Sequence, residues 1–168
     1  MLRPATDDDQ DDVRTWRNHP EVRAVSLTRH EIGAAEHAAW WASTKTRDDR
    51  LVLIYERHDI PSGVVTFFDL DRGARTSWWG YYLDNAGLTE RGELLPAWIE
   101  IQRQAIRYAW NELGLDVLDA EVLDANEAVR SMNRRNGFTE IGSDVRDLGG
   151  EPATVWRIQA RSPRTRAS

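Results

Sequence analysis

Three groups of residues in this sequence carry side chains able to do chemistry at a fixed spacing. The first lies in NEAVRSMNRRNGF, residues 126–138. Asn133 and Asn136 share a helical face with Val129 and Met132, so amides stand where core packing alone would put aliphatics, and a polar group is expected against them. The second is the run Thr89, Glu90, Arg91, Gly92, Glu93, Leu94, a glycine-containing loop entering a helix. Free amides at a helix start bind phosphate oxygens, although a plain strand-to-helix turn fits the same residues. The third is a set of candidate bases, Glu121 ahead of His37 and Asp84. A carboxylate beside a partly desolvated pocket is pushed toward neutrality, where it accepts protons well. Glu121 also reads as a strand-edge charge, and His37 as a half-buried helix histidine.

Other chemistries find less support. His19, His30, His37 and His58 are scattered and there is no cysteine, so no metal-ligand spacing arises and no metal is expected. The sequence contains no G-x-G-x-x-G, no G-K-[ST] and no G-x-S-x-G. The acidic DDDQDD near the start lacks the glycine and ligand spacing of a calcium loop, and reads as a helix start. A net charge of -6 argues against nucleic acid, whose phosphates need a basic face. No apolar run approaches the roughly 18 residues of a membrane span, and no leader follows Met1. The expected location is the cytoplasm.

The elements that must position these groups follow from periodicity. Residues 2–5 form a first strand, and Thr6 with Asp7, Asp8 and Asp9 opens a helix with Val13 and Trp16 inward, stopped by Pro20. Thr28 to Glu31 reads as a capping box opening a second helix lined by Ile32, Ala35, Ala39 and Ala42. Strands at 51–56, 64–70 and 76–83 form an antiparallel meander, with Pro61 and Gly63 in the first turn. Alternation sets Trp78 and Tyr82 on one face of the last strand and Trp79 and Tyr81 on the other. A long helix at 93–113 with Leu94, Trp98, Ile101, Ala105 and Ala109 inward then crosses to a buried strand at 117–123. Asn126 caps the next helix and Gly137 ends it. Strands at 140–145 and 154–159 close the sheet. The expected organisation is one domain over 1–160 and a disordered basic tail over 161–168.

The motifs NEAVRSMNRRNGF, IRYAWNELGLDVLDAEVLDAN, WRNHPEVR and EIGAAEHAAWW each resemble segments of the GNAT superfamily of acyl-CoA N-acyltransferases, and they fall along the chain in the family's order. The last two are similar to its ribosomal-protein and amino-sugar N-acetyltransferase branch. The resemblance implies an α+β fold with a mixed, mostly antiparallel central sheet and helices on both faces. It implies acetyl-CoA as acyl donor, held by Tyr82, Leu83, Arg91, Gly92, Glu93, Leu94, Asn126 and Asn133, with Tyr82 and Leu83 amides polarising the thioester. Two departures stand out. Leucine at 94 replaces the second small residue of the family's phosphate loop. Asn133 stands where the family often has the tyrosine that protonates the leaving sulfur; an amide can only hydrogen-bond it.

With Glu121 as base and Asn133 at the sulfur, the implied reaction is acetyl transfer to the primary amine of a small molecule. The resemblance and the aromatic residues favour an amino sugar or sugar nucleotide, walled by Arg17, Asn18, His37, Trp41, Trp78 and Tyr81. A protein N-terminus is the second acceptor class, and a non-catalytic scaffold of this fold a third reading. A homodimer is left open.

Overall fold

The computed structural model describes residues 1–166. Seven strands form one sheet in the order β1-β2-β3-β4-β5-β7-β6. They are β1 (Leu2–Pro4), β2 (Leu51–Arg57), β3 (Ile60–Asp71), β4 (Thr76–Leu83), β5 (Val117–Leu123), β6 (Thr139–Asp147) and β7 (Pro152–Arg161). Every neighbouring pair is antiparallel except β4 with β5. That one parallel pair requires a crossover, supplied by α4 (Asn85–Glu90) and α5 (Leu94–Asn111). The expected α+β mixed sheet is what the chain forms.

Helices cover both faces. On one, Ala97, Ile101, Ala105 and Ala109 of α5 and Leu88 of α4 bury against Leu53, Phe67, Trp79, Leu118 and Ile158. On the other, Val13 and Trp16 of α1 (Gln10–Asn18) and Trp41 of α3 (Ala34–Lys45) pack on Ile54 and Val64. Each large apolar side chain so buried contributes roughly 1.5–3 kcal/mol. The remaining helices among the described residues are α2 (Pro20–Ala24), α6 (Glu127–Arg135), the turn α7 (Pro163–Arg166) and a 3-10 turn at Asp7–Asp9 that leads into α1.

Several expectations are corrected. Pro20 does not only stop α1; it opens α2 as the first helical residue, with His19 Nδ1 accepting from the Glu21 amide at 3.3 Å. The second expected helix does not begin at Thr28. Asn18 clamps both backbone groups of Ile32, at 2.7 and 2.8 Å, which keeps that segment out of helix, and α3 starts after Gly33. Pro61 and Gly63 are not in the first hairpin turn. His58 and Asp59 make it, both at positive φ, and β3 already runs through Pro61 and Gly63. Gly63 is needed there for close approach, since a Cβ would sit 2.9 Å from Leu83 Cδ2 and from Tyr82 O. The tail is also ordered further than expected: Arg161 belongs to β7, Ser162 is fully buried, and Arg164 Nη2 donates to Trp110 O at 2.9 Å. Residues 167–168 of that tail lie outside the described residues. Among the described residues no helix is long and apolar enough to cross a membrane.

Candidate active site

The site follows from a split in the sheet. β4 and β5 pair only at Thr76 with Val117, Ser77 with Leu118 and Trp78 with Asp119. Beyond that point β4 continues to Leu83 and β5 to Leu123 without pairing to each other, while β5 stays bonded to β7 along its whole length. Two facing strand edges are left with free backbone donors and acceptors, a template for an extended polar ligand. A cavity of about 550 Å³ opens there, bordered by residues 79–83, residues 120–123, Trp98 and Asn133.

Under its floor runs a buried polar chain. Gln102, fully buried on α5, donates from Nε2 to Asn133 Oδ1 at 2.7 Å, and its Oε1 accepts from Asn136 Nδ2. This is the polar group that the two asparagines of α6 required. Tyr81 Oη accepts from Trp98 Nε1 at 2.8 Å and from Gln102 Nε2 at 3.5 Å. Burial pushes the Tyr81 phenol up to about 12, opposed by those two donors. Tyr81 stacks on Trp79 at 5.3 Å, and Trp79 on Phe138 at 5.9 Å, which fixes the wall between β4 and the end of α6.

Asn126 borders the cavity and caps α6, its Oδ1 accepting from the Val129 amide at 3.4 Å. At the other end, Gly92 takes φ 68° and turns the chain into α5. The first-turn donors of α5 fall on Leu94 and Leu95, because Pro96 has no N–H and the Ala97 amide already bonds Glu93 O at 2.9 Å. Leu94 and Leu95 line the cavity, so a phosphate approaching this helix end meets two amides and the macrodipole. Arg91 and Glu93 are joined to each other at 3.5 Å, Glu93 also pairs with Arg57 at 3.5 Å, and neither these residues nor Gly92 border the cavity.

Glu121 borders the cavity, but both its oxygens are held by Arg146, Oε2 at 2.8 Å and Oε1 at 2.5 Å. Asp84 is a helix cap, accepting from the Gly87 amide at 3.0 Å. His37 is away from the cavity, buried beside Trp40 and Trp41, where burial pushes it below the ordinary histidine value.

Of the six expected acceptor residues, only Tyr81 borders the cavity. Arg17 Nη2 donates to Thr28 O at 2.6 Å, Asn18 clamps Ile32, and Trp41 sits in the core with Nε1 on Asp7 at 3.0 Å. Trp78 lies on the opposite sheet face, stacked on Phe68 and covered by Arg157 at 4.8 Å. The cavity is lined at that end instead by Glu21, Val22, Val25, Ser26 and Leu27, with Asn85 Nδ2 donating to Glu21 Oε2 at 3.0 Å. Sequence reasoning missed these residues because α2 was not expected. It missed Gln102 as well, although a glutamine between Trp98 and Ala105 on the inner stripe of α5 was a readable signal.

Comparison with known proteins agrees with this geometry. Residues 1–139 match the acetyltransferase (GNAT) domain family, and the chain belongs to that family. The spermidine N-acetyltransferase of Vibrio cholerae, solved in complex with CoA and spermine, superposes with a TM-score of 0.78 at 14% identity, covering 96% of this chain and 94% of that one. A structure provisionally described as a phosphinothricin N-acetyltransferase gives 0.77 at 18% identity, covering 96% and 97%. No curated protein matches the sequence.

Proposed function

We propose that this chain is an acyl-CoA-dependent N-acetyltransferase that moves an acetyl group from acetyl-CoA to the primary amine of a small molecule. The observation that carries the reading is the split between β4 and β5 after Trp78 and Asp119, which exposes two strand edges over a cavity ending at the start of α5. Pantetheine has the amide spacing to bond such edges, the Leu94 and Leu95 amides meet the pyrophosphate, and the Tyr82 and Leu83 backbone polarises the thioester carbonyl. Asn133 lies beside the sulfur as a hydrogen-bond donor through Nδ2.

The finer reading is an amino sugar or sugar nucleotide as acceptor. This end of the cavity combines apolar faces, Val22, Val25 and Leu27, with the hydrogen-bonding edges of Glu21, Ser26 and Asn85, which suits a ring with C–H faces and hydroxyls. A polyamine or a basic peptide N-terminus calls for unpaired carboxylates. Here Glu121 is paired with Arg146, and Glu21, bonded at one oxygen by the neutral Asn85 amide, is the single carboxylate lining the cavity without a cationic partner among the described residues, fewer than a polycation calls for. A homodimer through the open edge of β6, where Ile141 and Val145 are exposed, is part of the same proposal.

The test is free-thiol release from acetyl-CoA against amino sugars, amino-sugar nucleotides, polyamines and N-terminal peptides. Turnover is expected with the amino sugars. Turnover confined to peptides or polyamines overturns the acceptor class. A chain that shows no thermal shift with CoA, where about 2.7 kcal/mol of stabilisation is expected at 100 times the dissociation constant, is a scaffold.

A further inference from the structure

The polar chain beneath the cleft leaves one proton without an acceptor. A phenol oxygen carries two acceptor sites and one proton. On Tyr81 both acceptor sites are filled, by Trp98 Nε1 at 2.8 Å and by Gln102 Nε2 at 3.5 Å, so the O–H has to point elsewhere. In this arrangement Gln102 presents it no oxygen, because Nε2 is the atom toward the phenol and is bonded to Asn133 Oδ1 at 2.7 Å, while Oε1 accepts from Asn136 Nδ2. Among the described residues no protein acceptor takes the Tyr81 proton. Tyr81, Trp98 and Asn133 all border the cavity, and a single amide nitrogen of Gln102 separates the phenol oxygen from Asn133 Oδ1.

We propose that Tyr81 donates the proton to the departing CoA sulfur, with Trp98 and Gln102 as its positioning residues. This rests on the acyltransferase reading above. The amine nitrogen adds to the thioester carbonyl carbon, and the carbon–sulfur bond of the adduct breaks with its electron pair left on sulfur. The Tyr81 O–H proton passes to that sulfur, giving free CoA thiol. The proton shed by the nitrogen returns through cleft water to the phenolate, so the enzyme ends as it began. Asn133, an amide, has no acidic proton to give at that corner of the cavity. A phenol from β4 reaches the same corner from the other side. Buried and pushed up to about 12, Tyr81 is protonated at neutral pH, and the two N–H donors aimed at its oxygen stabilise the phenolate formed as the proton leaves.

The experiment uses the full chain with acetyl-CoA and hydroxylamine, a small nucleophile that needs no fitted acceptor pocket, read as thiol release above the uncatalysed rate. Tyr81→Phe is expected to lower apparent kcat about 100-fold or more, with KM for acetyl-CoA and the CoA thermal shift unchanged. Trp98→Phe, which keeps the phenol but removes one donor, is expected to lower kcat by a smaller factor at unchanged KM. Adding Asn133→Tyr to Tyr81→Phe is expected to recover at least tenfold. Tyr81→Phe with kcat within threefold of wild type overturns the proposal. So does a rate loss accompanied by loss of the CoA shift, which marks a packing role. If the wild-type chain itself gives no CoA shift, the acyltransferase reading fails first and takes this proposal with it.

Discussion

Gln102 on α5 and Asn133 on α6 meet through a 2.7 Å Nε2–Oδ1 hydrogen bond, 31 residues apart in sequence and both out of solvent, at 0% and 5% exposure. One amide thereby ties together the two helices that flank the cleft and leaves Asn133 Nδ2 to face it.

Breaking that bond from one side should be costly. Gln102→Leu strands Asn133 Oδ1 and Asn136 Nδ2 together, and an unsatisfied buried group costs about 1–3 kcal/mol. The expected urea midpoint falls accordingly. Gln102→Leu with Asn133→Leu should lose less than the sum of the two single changes, because the second removes a group that the first left stranded. Strict additivity in the double-mutant cycle would show that the pair is uncoupled.

Glu121→Gln should lower kcat/KM by less than about tenfold, because both carboxylate oxygens are already occupied by Arg146; a working general base is worth about 100-fold or more. Arg146→Met should have a similar small effect. A loss beyond 100-fold in Glu121→Gln alone would restore Glu121 as the base. Thermal melts of either variant should move little, since a half-exposed ion pair contributes about 1 kcal/mol at most.

At the phosphate end, Gly92→Asp should weaken CoA binding about fivefold relative to Gly92→Asn, the energy of one charge near 4 Å in water being about 1 kcal/mol. The asparagine variant carries the same demand of a positive φ, 68° in the folded chain, without the charge. Both fit sterically, since a Cβ there meets nothing within 4 Å. Equal CoA affinities for the two, by calorimetry, would place the phosphates elsewhere.

His37 should make the fold acid-sensitive below about pH 6.5, the ordinary histidine value. Burial is the main cause of its depressed pKa; Arg14 adds to the depression and Asp11 opposes it. The unfolded chain therefore binds a proton at this position before the folded chain does, and stability is lost as pH falls below 6.5. Between pH 7.5 and 5.5, wild type should lose about 1 kcal/mol more than His37→Phe. Parallel losses in urea melts would mean that His37 titrates alike in both states.

Much of the fold was legible because its signals are local. Asn126 and Gly137 bound α6 by capping chemistry alone, the meander followed from alternation, and the glycine after α5 marked the turn into β5. The amides at 133 and 136 announced a polar partner before any partner was known. What failed was where a local signal competed with a distant one. Thr28 and Glu31 have the form of a helix start, but Asn18, fourteen residues upstream, takes the backbone of Ile32 and holds it extended. Trp78 and Trp41 have the chemistry to meet a sugar, but which side of the sheet opens into a cleft is set by the divergence of β4 from β5, a property of two strands separated by two helices.

The sequence by itself determined most of the strands, the long helix α5, the caps of α6, the family, and that the end of α6 carries amides needing a partner. Only the tertiary structure decided that the partner is Gln102, that Glu121 is clamped by Arg146, and that of the expected acceptor residues Tyr81 borders the cavity while Trp41 and Trp78 do not. The physical reason is the range of the interactions. Capping and periodicity act within one or two turns and are written in neighbouring residues. Salt bridges, buried hydrogen bonds and open strand edges depend on which distant segments the packing brings within about 3 Å.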